Sequence, residues 1–175
     1  VNGLVVYEGG GSVLPIEIQS MENTSKKLIP TGNLGHSILD SLHLSYSVFL
    51  SSDYCKKYTN NFKRSVRIHI PESIIYKDGP SAGLAFFIGI MAEKMTKRIS
   101  EKIAFTGELT LSGNILRVGG IKEKITAAYI YGIKTVYIPK DNFPDLMNLG
   151  NKIKSALKIK LVNHYSDVLK DIWKI

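Results

Sequence analysis

Two short segments carry residue types that could do covalent chemistry: Lys77-Asp78-Gly79-Pro80-Ser81-Ala82-Gly83, and Gly119-Gly120-Ile121-Lys122-Glu123-Lys124. A serine hydroxyl is a poor nucleophile until a base takes its proton and donors receive the oxyanion. After Ser81 the chain turns small and apolar, with Leu84, Ile88, Met91 and Met95 at helical spacing, so Ser81 falls at a helix start. Backbone N–H groups without intrahelical partners gather at such an end, and the helix dipole favours negative charge there. Gly79 and Gly83 permit close approach, while Pro80 fixes its own φ. The same placement suits a serine that merely caps the helix. Local chemistry leaves both readings open.

The second segment opens a helix with Ile121, Ile125 and Ala128 on one face. At about 100° per residue, Lys124 lies about 60° from Ile121, and Lys122 about 100° away on the other side. Lys124 is therefore nearer the apolar side. A lysine acts as a base only when neutral. Its ordinary pKa is about 10.4, and base catalysis near pH 7 wants roughly 7–8. Desolvation supplies such a shift, at roughly 4 kcal/mol for three units. Thr106, at the end of a strand before Gly107-Glu108, is placed to hydrogen-bond and orient the amine. Wheel geometry alone keeps a second reading open, with both lysines in solvent.

The elements that must position these residues follow from periodicity and turn chemistry. Asn2 to Tyr7 and Ser12 to Ile18 read as strands around Gly9-Gly10-Gly11. Glu22 to Lys27 reads as loop, and Leu34, Ile38, Leu42 and Tyr46 predict a helix from about Asn33 to Leu50. Asp53 to Arg64 reads as a polar connection, Val66 to Ile70 as a strand, and Pro71 to Pro80 as irregular. Ile103 to Thr106 reads as a strand, and Leu109 to Val118 as a hairpin about Ser112-Gly113-Asn114. A helix from Gly120 to Tyr131 ends at Gly132, in the position of a C-cap glycine. Strand 134–138, helix 141–149, strand 157–162 and helix 166–173 complete the chain. The alternation predicts an α+β or mixed α/β domain with mixed sheets covered by helices.

Composition narrows the function classes. At 175 residues, 44% hydrophobic and 22% charged, the chain fits one globular domain. No apolar run approaches the roughly 20 residues of a membrane span, and no membrane partner is expected. It begins at Val1 and reads as a piece of a longer protein. The single cysteine, Cys55, excludes an internal disulfide framework and suggests a reducing compartment; it reads as incidental. The net charge of +8 raises a nucleic-acid partner. The lysines are scattered without interleaved aromatics, which favours a solvated surface. His36, His43, His69 and His164 show no paired metal-ligand spacing.

Three ordered blocks are specific: Lys77 to Gly83, Phe105-Thr106-Gly107-Glu108-Leu109-Thr110-Leu111-Ser112-Gly113, and Val118 to Lys124. Together with the 43-residue separation of Ser81 and Lys124, they resemble the proteolytic domain of the Lon protease family. The likeness continues through Asn2-Gly3-Leu4, Thr31 to Gly35, Gly132 to Val136 and Ile138-Pro139, so it covers essentially the whole chain. The resemblance implies a compact α+β fold similar to the second domain of ribosomal protein S5. It also implies a Ser-Lys dyad cleaving peptide bonds of unfolded or damaged proteins through an acyl-enzyme. Position by position, Ser81 is then the nucleophile and Lys124 the base. Thr106 positions the lysine, Asp78 lies in a loop gating the site, and His69 is a further supporting residue. The family couples this domain to an AAA+ ATPase in a hexameric ring. No Gly-x4-Gly-Lys-Ser/Thr pattern occurs here, so ATP and magnesium belong to another module and no cofactor is expected in this one. The implied compartment is bacterial cytoplasm or mitochondrial matrix, and the lysine-rich sequence leans toward the latter.

The chain departs from the family pattern at three places. Pro71-Glu72-Ser73-Ile74-Ile75-Tyr76 replaces the usual Pro-Glu-Gly-Ala-Thr-Pro, Arg67 replaces the first of two histidines, and Val6 replaces a tryptophan. Two other readings compete. Gly79-Pro80-Ser81-Ala82-Gly83 satisfies the nucleophile elbow of α/β-hydrolase esterases, with Asp141 or Asp145 and then His164 in order. An elbow must leave a strand directly, and here a ten-residue irregular stretch intervenes. An inactive Lon-like scaffold that binds DNA would keep the fold and lose the dyad. Ser155 to Lys158 matches Ser-x-x-Lys without its companion motifs.

Overall fold

The computed structural model describes residues 1–22, 27–58 and 65–175. Its central element is a five-stranded sheet in the order β10-β9-β6-β1-β2. It is formed by β1 (Asn2–Tyr7), β2 (Gly10–Pro15), β6 (Ile103–Phe105), β9 (Thr135–Pro139) and β10 (Lys158–Val162). β1 and β2 form the expected antiparallel hairpin, while β1-β6, β6-β9 and β9-β10 are parallel pairs. A second sheet sets β5 (Ser65–His69) between β3 (Glu17–Met21) and β4 (Leu28–Thr31). β7 (Glu108–Leu109) and β8 (Ile115–Leu116) make the short hairpin expected about Ser112 to Asn114.

Both faces of the five-stranded sheet are buried, and its side chains sort with a period of two. Leu4, Val13, Ala104, Val136 and Ile138 pack with Ile121, Ile125 and Ala128 of α4 (Ile121–Ile130). Val5, Leu14, Phe105 and Tyr137 face the opposite core. There they meet α1 (His36–Ser51), α3 (Gly83–Lys94) and α6 (Tyr165–Trp173). The α+β class expected from the sequence is what the chain adopts.

Several expectations needed correction. The single strand read over 12–18 is two, because it divides at Pro15: β2 stays in the first sheet and β3 joins the second. Pro15 has no N–H to continue a ladder, so it sits at a strand end. β4 was not anticipated; it is four residues long, includes Pro30 and lies at a sheet edge. The connection read over 53–64 begins as α2 (Asp53–Tyr58), with Cys55 fully buried in the core. The loop reading of 22–27 falls largely outside the described residues, as does 59–64. α5 (Asn151–Ala156) was also missed. Helix 141–149 is instead a 3₁₀ segment, Lys140–Asn148. Pro144 lies within it, and without an N–H it cannot support a regular α-helical ladder. α3 was read as having one buried face, yet Gly83 to Ala92 are all buried, because α1, β3, β1, β6 and α6 surround it.

α4 ends as its sequence requires. Gly132 adopts φ 76°, its N–H donates to Tyr129 O at 3.1 Å, and Ile133 N–H donates to Ala128 O at 3.0 Å. This is a Schellman termination. At its other end α4 presses on β2. A Cβ at Gly11 would collide with the Glu123 carbonyl, a backbone group that cannot swing aside. Gly11→Ala is expected to lower stability by about 1–3 kcal/mol through overpacking, measured as a lower denaturation midpoint at unchanged m-value.

Candidate active site

Ser81 lies in a 3₁₀ turn, Pro80–Ala82, immediately before α3. This differs from the helix-start placement in one respect: the N-cap of α3 is Ala82, and no side chain caps either helix. The hydroxyl of Ser81 is thus not used as a helix cap. The turn is gripped through its carbonyls. Gly107 N–H donates to Ser81 O at 2.8 Å, and the fully buried Thr106 hydroxyl donates to the same oxygen at 3.2 Å. Gly107 O in return accepts from Leu84 N–H at 3.1 Å. Gly107 holds φ 156°, and a Cβ there would meet Ile115, so only glycine fits this crossing. Thr106 was expected to orient the lysine amine. In the structure its hydroxyl hydrogen goes to the Ser81 carbonyl, which leaves only its lone pairs for another donor.

The irregular segment before the turn has its own fastening. Lys77 is 2% exposed, and its ammonium donates to Glu72 O at 2.6 Å and Ile75 O at 2.8 Å. Its backbone pairs with Asn33 and Gly35. Asp78, expected in a gating loop, accepts from Ile38 N–H at 3.0 Å and Gly79 N–H at 2.8 Å, with Tyr76 OH at 3.2 Å. It thereby caps α1, whose own N-cap is Gly35 and has no side chain. The N–H groups of Gly79 and Ile38 hold its carboxyl below the usual carboxylate range. His69 sits on β5, with Nδ1 3.0 Å from the Thr31 hydroxyl. Together with Arg67 and Gln19 it lines a cavity of about 300 Å³ on the second sheet, and neither Ser81 nor Lys124 lines that cavity.

Lys124 occupies the first turn of α4 and is 3% exposed, whereas Lys122 is exposed. The wheel's preference for Lys124 is therefore realised in burial. Desolvation alone pushes its pKa down to about 8. The contrast with Lys77 lies in hydrogen bonds: that buried ammonium donates to two carbonyls, while among the described residues no side-chain hydrogen bond or salt bridge is made by Lys124. The helix start is fixed by Gly120 at φ 67°, where a Cβ would strike Val6 of β1. Two residues earlier, the fully buried Asn142 clamps Val118. It accepts from Val118 N–H at 3.0 Å and donates to Val118 O at 2.8 Å. A cavity of about 530 Å³ beside this loop is lined by Arg117, Lys122 and Asp145 among others, not by Lys124.

The two candidate residues approach the sheet from opposite faces, Ser81 ahead of α3 and Lys124 in α4. Both turns stand at the carboxyl ends of the adjacent parallel strands β6 and β1, one against Thr106-Gly107 and the other against Val6. That edge of a parallel sheet is where α/β proteins bind ligands. Over residues 1–174 the chain matches the family described as the Lon protease C-terminal proteolytic domain. The chain belongs to that family. It is 41% identical to a Lon protease of Rickettsia bellii, over 96% of this chain and 22% of the relative. It is 35% identical to one of Mycoplasma mobile, over 99% of this chain and 21% of the relative. With one of Finegoldia magna the figures are 33%, 98% and 22%. The chain thus spans about a fifth of the length of the curated relatives it matches. These relatives are bacterial, and the lean toward a mitochondrial source has no support among them.

In this Lon-family domain the sequence reading missed Ser41, Ser45, Lys77 and Asn142, all buried polar residues. A signal existed for the serines, which continue the helical series of Ile38 and Leu42 and so belong to a buried face. Burial of Lys124 yields a test of stability. Its folded pKa is about 8 against an ordinary value near 10.5, so the unfolded chain binds the extra proton between those values. The folded state is penalised below pH 8, by about 3 kcal/mol, and the penalty vanishes above 10.5. Lys124→Met is therefore expected to be more stable than wild type at pH 7, with the gain shrinking as pH rises from 8 to 10.5. Urea titrations at pH 7 and 10 measure both values. An equal difference at the two pH values would contradict burial of the ammonium as its origin.

Proposed function

We propose that this chain is a serine endopeptidase module in which Ser81 is the nucleophile and Lys124 the general base. The carrying observation is a lysine buried to 3% exposure with its pKa brought down to about 8 by desolvation. At pH 7 roughly a tenth of such an amine is neutral, against less than a thousandth for an exposed lysine. In the proposed reaction Ser81 Oγ attacks the scissile carbonyl carbon while its proton passes to the Lys124 amine. Backbone N–H groups at the 3₁₀ turn receive the developing oxyanion, Ser81 N–H first among them. Collapse expels the amine, which takes the proton from Lys124 and leaves an acyl-enzyme on Ser81. Water, deprotonated by the same lysine, then releases the acid. Thr106 and Asp78 act in this reading by holding the nucleophile segment from either side. His69, bonded to Thr31, acts more remotely.

Substrates in this reading are unfolded or damaged polypeptides, delivered by an ATPase module that binds ATP and magnesium outside these 175 residues. The assembly would be a hexamer, in a bacterial-type cytoplasm. The esterase alternative loses its histidine: His164 Nε2 lies 3.0 Å from Ser112 O, and its Nδ1 engages Ser166 at the start of α6. Asp145 is occupied by Asn142 and Arg117. The inactive-scaffold alternative is disfavoured because both Ser81 and Lys124 are present.

Cleavage of an unstructured peptide tests the dyad. Ser81→Ala and Lys124→Gln are each expected to reduce kcat at least a thousandfold, and undiminished cleavage in either would sink the assignment. His164→Ala is expected to leave kcat within about threefold of wild type, since it removes only a cap and a hairpin tie. The pH dependence should rise tenfold per unit below pH 8 and level above it, because the neutral amine is the active form. A profile already flat from pH 6 to 9 would assign the base elsewhere.

A further inference from the structure

α1 runs beside the segment that carries Ser81 and meets it at three successive turns. Its first turn donates Ile38 N–H to Asp78. One turn on, the Ser41 hydroxyl donates to the Pro80 carbonyl at 3.1 Å. A turn further, the Ser45 hydroxyl lies 2.9 Å from the Gly83 carbonyl and 2.7 Å from Ser41 O. Residues three and four apart lie on one helix face, so these ties form a single rail.

Ser41 is the informative member. A serine inside a helix can return its hydrogen to the carbonyl four residues back, as the exposed Ser47 does to His43 O at 2.9 Å and the buried Ser45 to Ser41 O at 2.7 Å. Ser41, 8% exposed, instead points out of its own helix. The contact is close: a Cβ on Gly83 would come within 2.9 Å of the Ser41 hydroxyl and 3.0 Å of Leu109 N. The oxygen it grips belongs to the peptide unit joining Pro80 to Ser81. That unit is planar and rigid. Its far end carries the Ser81 N–H and the Ser81 Cα from which the nucleophilic oxygen projects. On the other side, Gly107 and Thr106 hold the Ser81 carbonyl. The two grips fix the peptide planes before and after the nucleophile.

We propose that Ser41 is a positioning residue for Ser81, its hydroxyl setting the orientation of the Pro80–Ser81 peptide and hence the aim of the nucleophile. This rests on the reading of Ser81 as nucleophile, and the experiment separates the two. The intact protein is reacted with a fluorophosphonate probe, in which Ser81 Oγ bonds to phosphorus, fluoride leaves and the serine proton goes to the base. Rate constant and final stoichiometry are measured for wild type, Ser41→Ala, Ser41→Thr and Ser81→Ala. Ser41→Ala should label about tenfold more slowly, in keeping with the sensitivity of reaction to small misplacements, yet reach one label per chain. The Pro80 carbonyl keeps its bond from Gly83 N–H, so the fold survives. Ser41→Thr retains the hydroxyl and should recover most of the rate. With the peptide substrate, Ser41→Ala should lower kcat and spare KM. An unchanged labelling rate in Ser41→Ala overturns the proposal. So does a reduced end-point at the wild-type rate, which marks lost folded protein rather than a mis-aimed nucleophile. Equal labelling of wild type and Ser81→Ala would remove Ser81 as nucleophile, and the proposal with it.

Discussion

The architecture depends on a five-stranded sheet that is buried on both faces. Such a sheet needs an apolar layer on each side, and α3 and α4 supply the two layers. Because β1, β6 and β9 run parallel, the turns that lead into covering elements collect at one edge of the sheet. Ser81 and Lys124 occupy the first turns of helical segments on opposite faces. The parallel order brings both to the carboxyl ends of neighbouring strands. That both turns, 43 positions apart in sequence, stand at one edge of the sheet is thus a consequence of covering it.

Holding the two residues requires opposite solutions. Around Ser81 the backbone is saturated: Pro80, Ser81 and Gly83 carbonyls each receive a buried hydroxyl or a distant N–H, from α1 on one side and Thr106-Gly107 on the other. Saturation fixes the main chain and leaves the serine hydroxyl uncommitted to any cap. At Lys124 the fixing is done on its helix, through Gly120, Gly11 and the Asn142 clamp, while the ammonium itself is left poorly compensated. An ion held this way costs stability, and its lowered pKa leaves more of the amine neutral near pH 7. Burial lowers the Lys77 pKa as well, but there two carbonyls accept from the ammonium and tie the 72–75 loop to it.

The departures from the family pattern fall on the outside of this scaffold. Ile74 is 98% exposed, and the Ile74 to Tyr76 run lies on the loop surface closed by Lys77. Val6, in place of tryptophan, still packs on Gly120 at the start of α4. Arg67 and His69 share the open side of the second sheet with Gln19. These departures leave Ser81 and Lys124 themselves in place, while Glu72, Ile75 and Tyr76 still fasten Lys77 and Asp78.

Much of this protein was legible in its sequence because the signals are local. Periods of two and of 3.6, Gly132 at a helix end, and the glycine-flanked serine each depend on a few neighbouring residues. They gave the class and most elements. They left Ser81 as cap or nucleophile, and the choice between Lys122 and Lys124, open until the resemblance to the Lon family singled out Ser81 and Lys124. Short elements were lost where the pattern is too brief to have a period, as in β4, α2 and α5, or where Pro15 and Pro144 redirect the chain. Tertiary structure alone decided three things. It put Lys124 rather than Lys122 in the interior, since a wheel gives direction but not what lies there. It turned Asp78 into a cap for α1, and the Thr106 hydroxyl toward the Ser81 carbonyl. It brought Ser41 and Asn142 to their distant partners. Each is a contact between residues 24 to 40 positions apart, and no periodicity in a single chain encodes which carbonyl a buried hydroxyl will find.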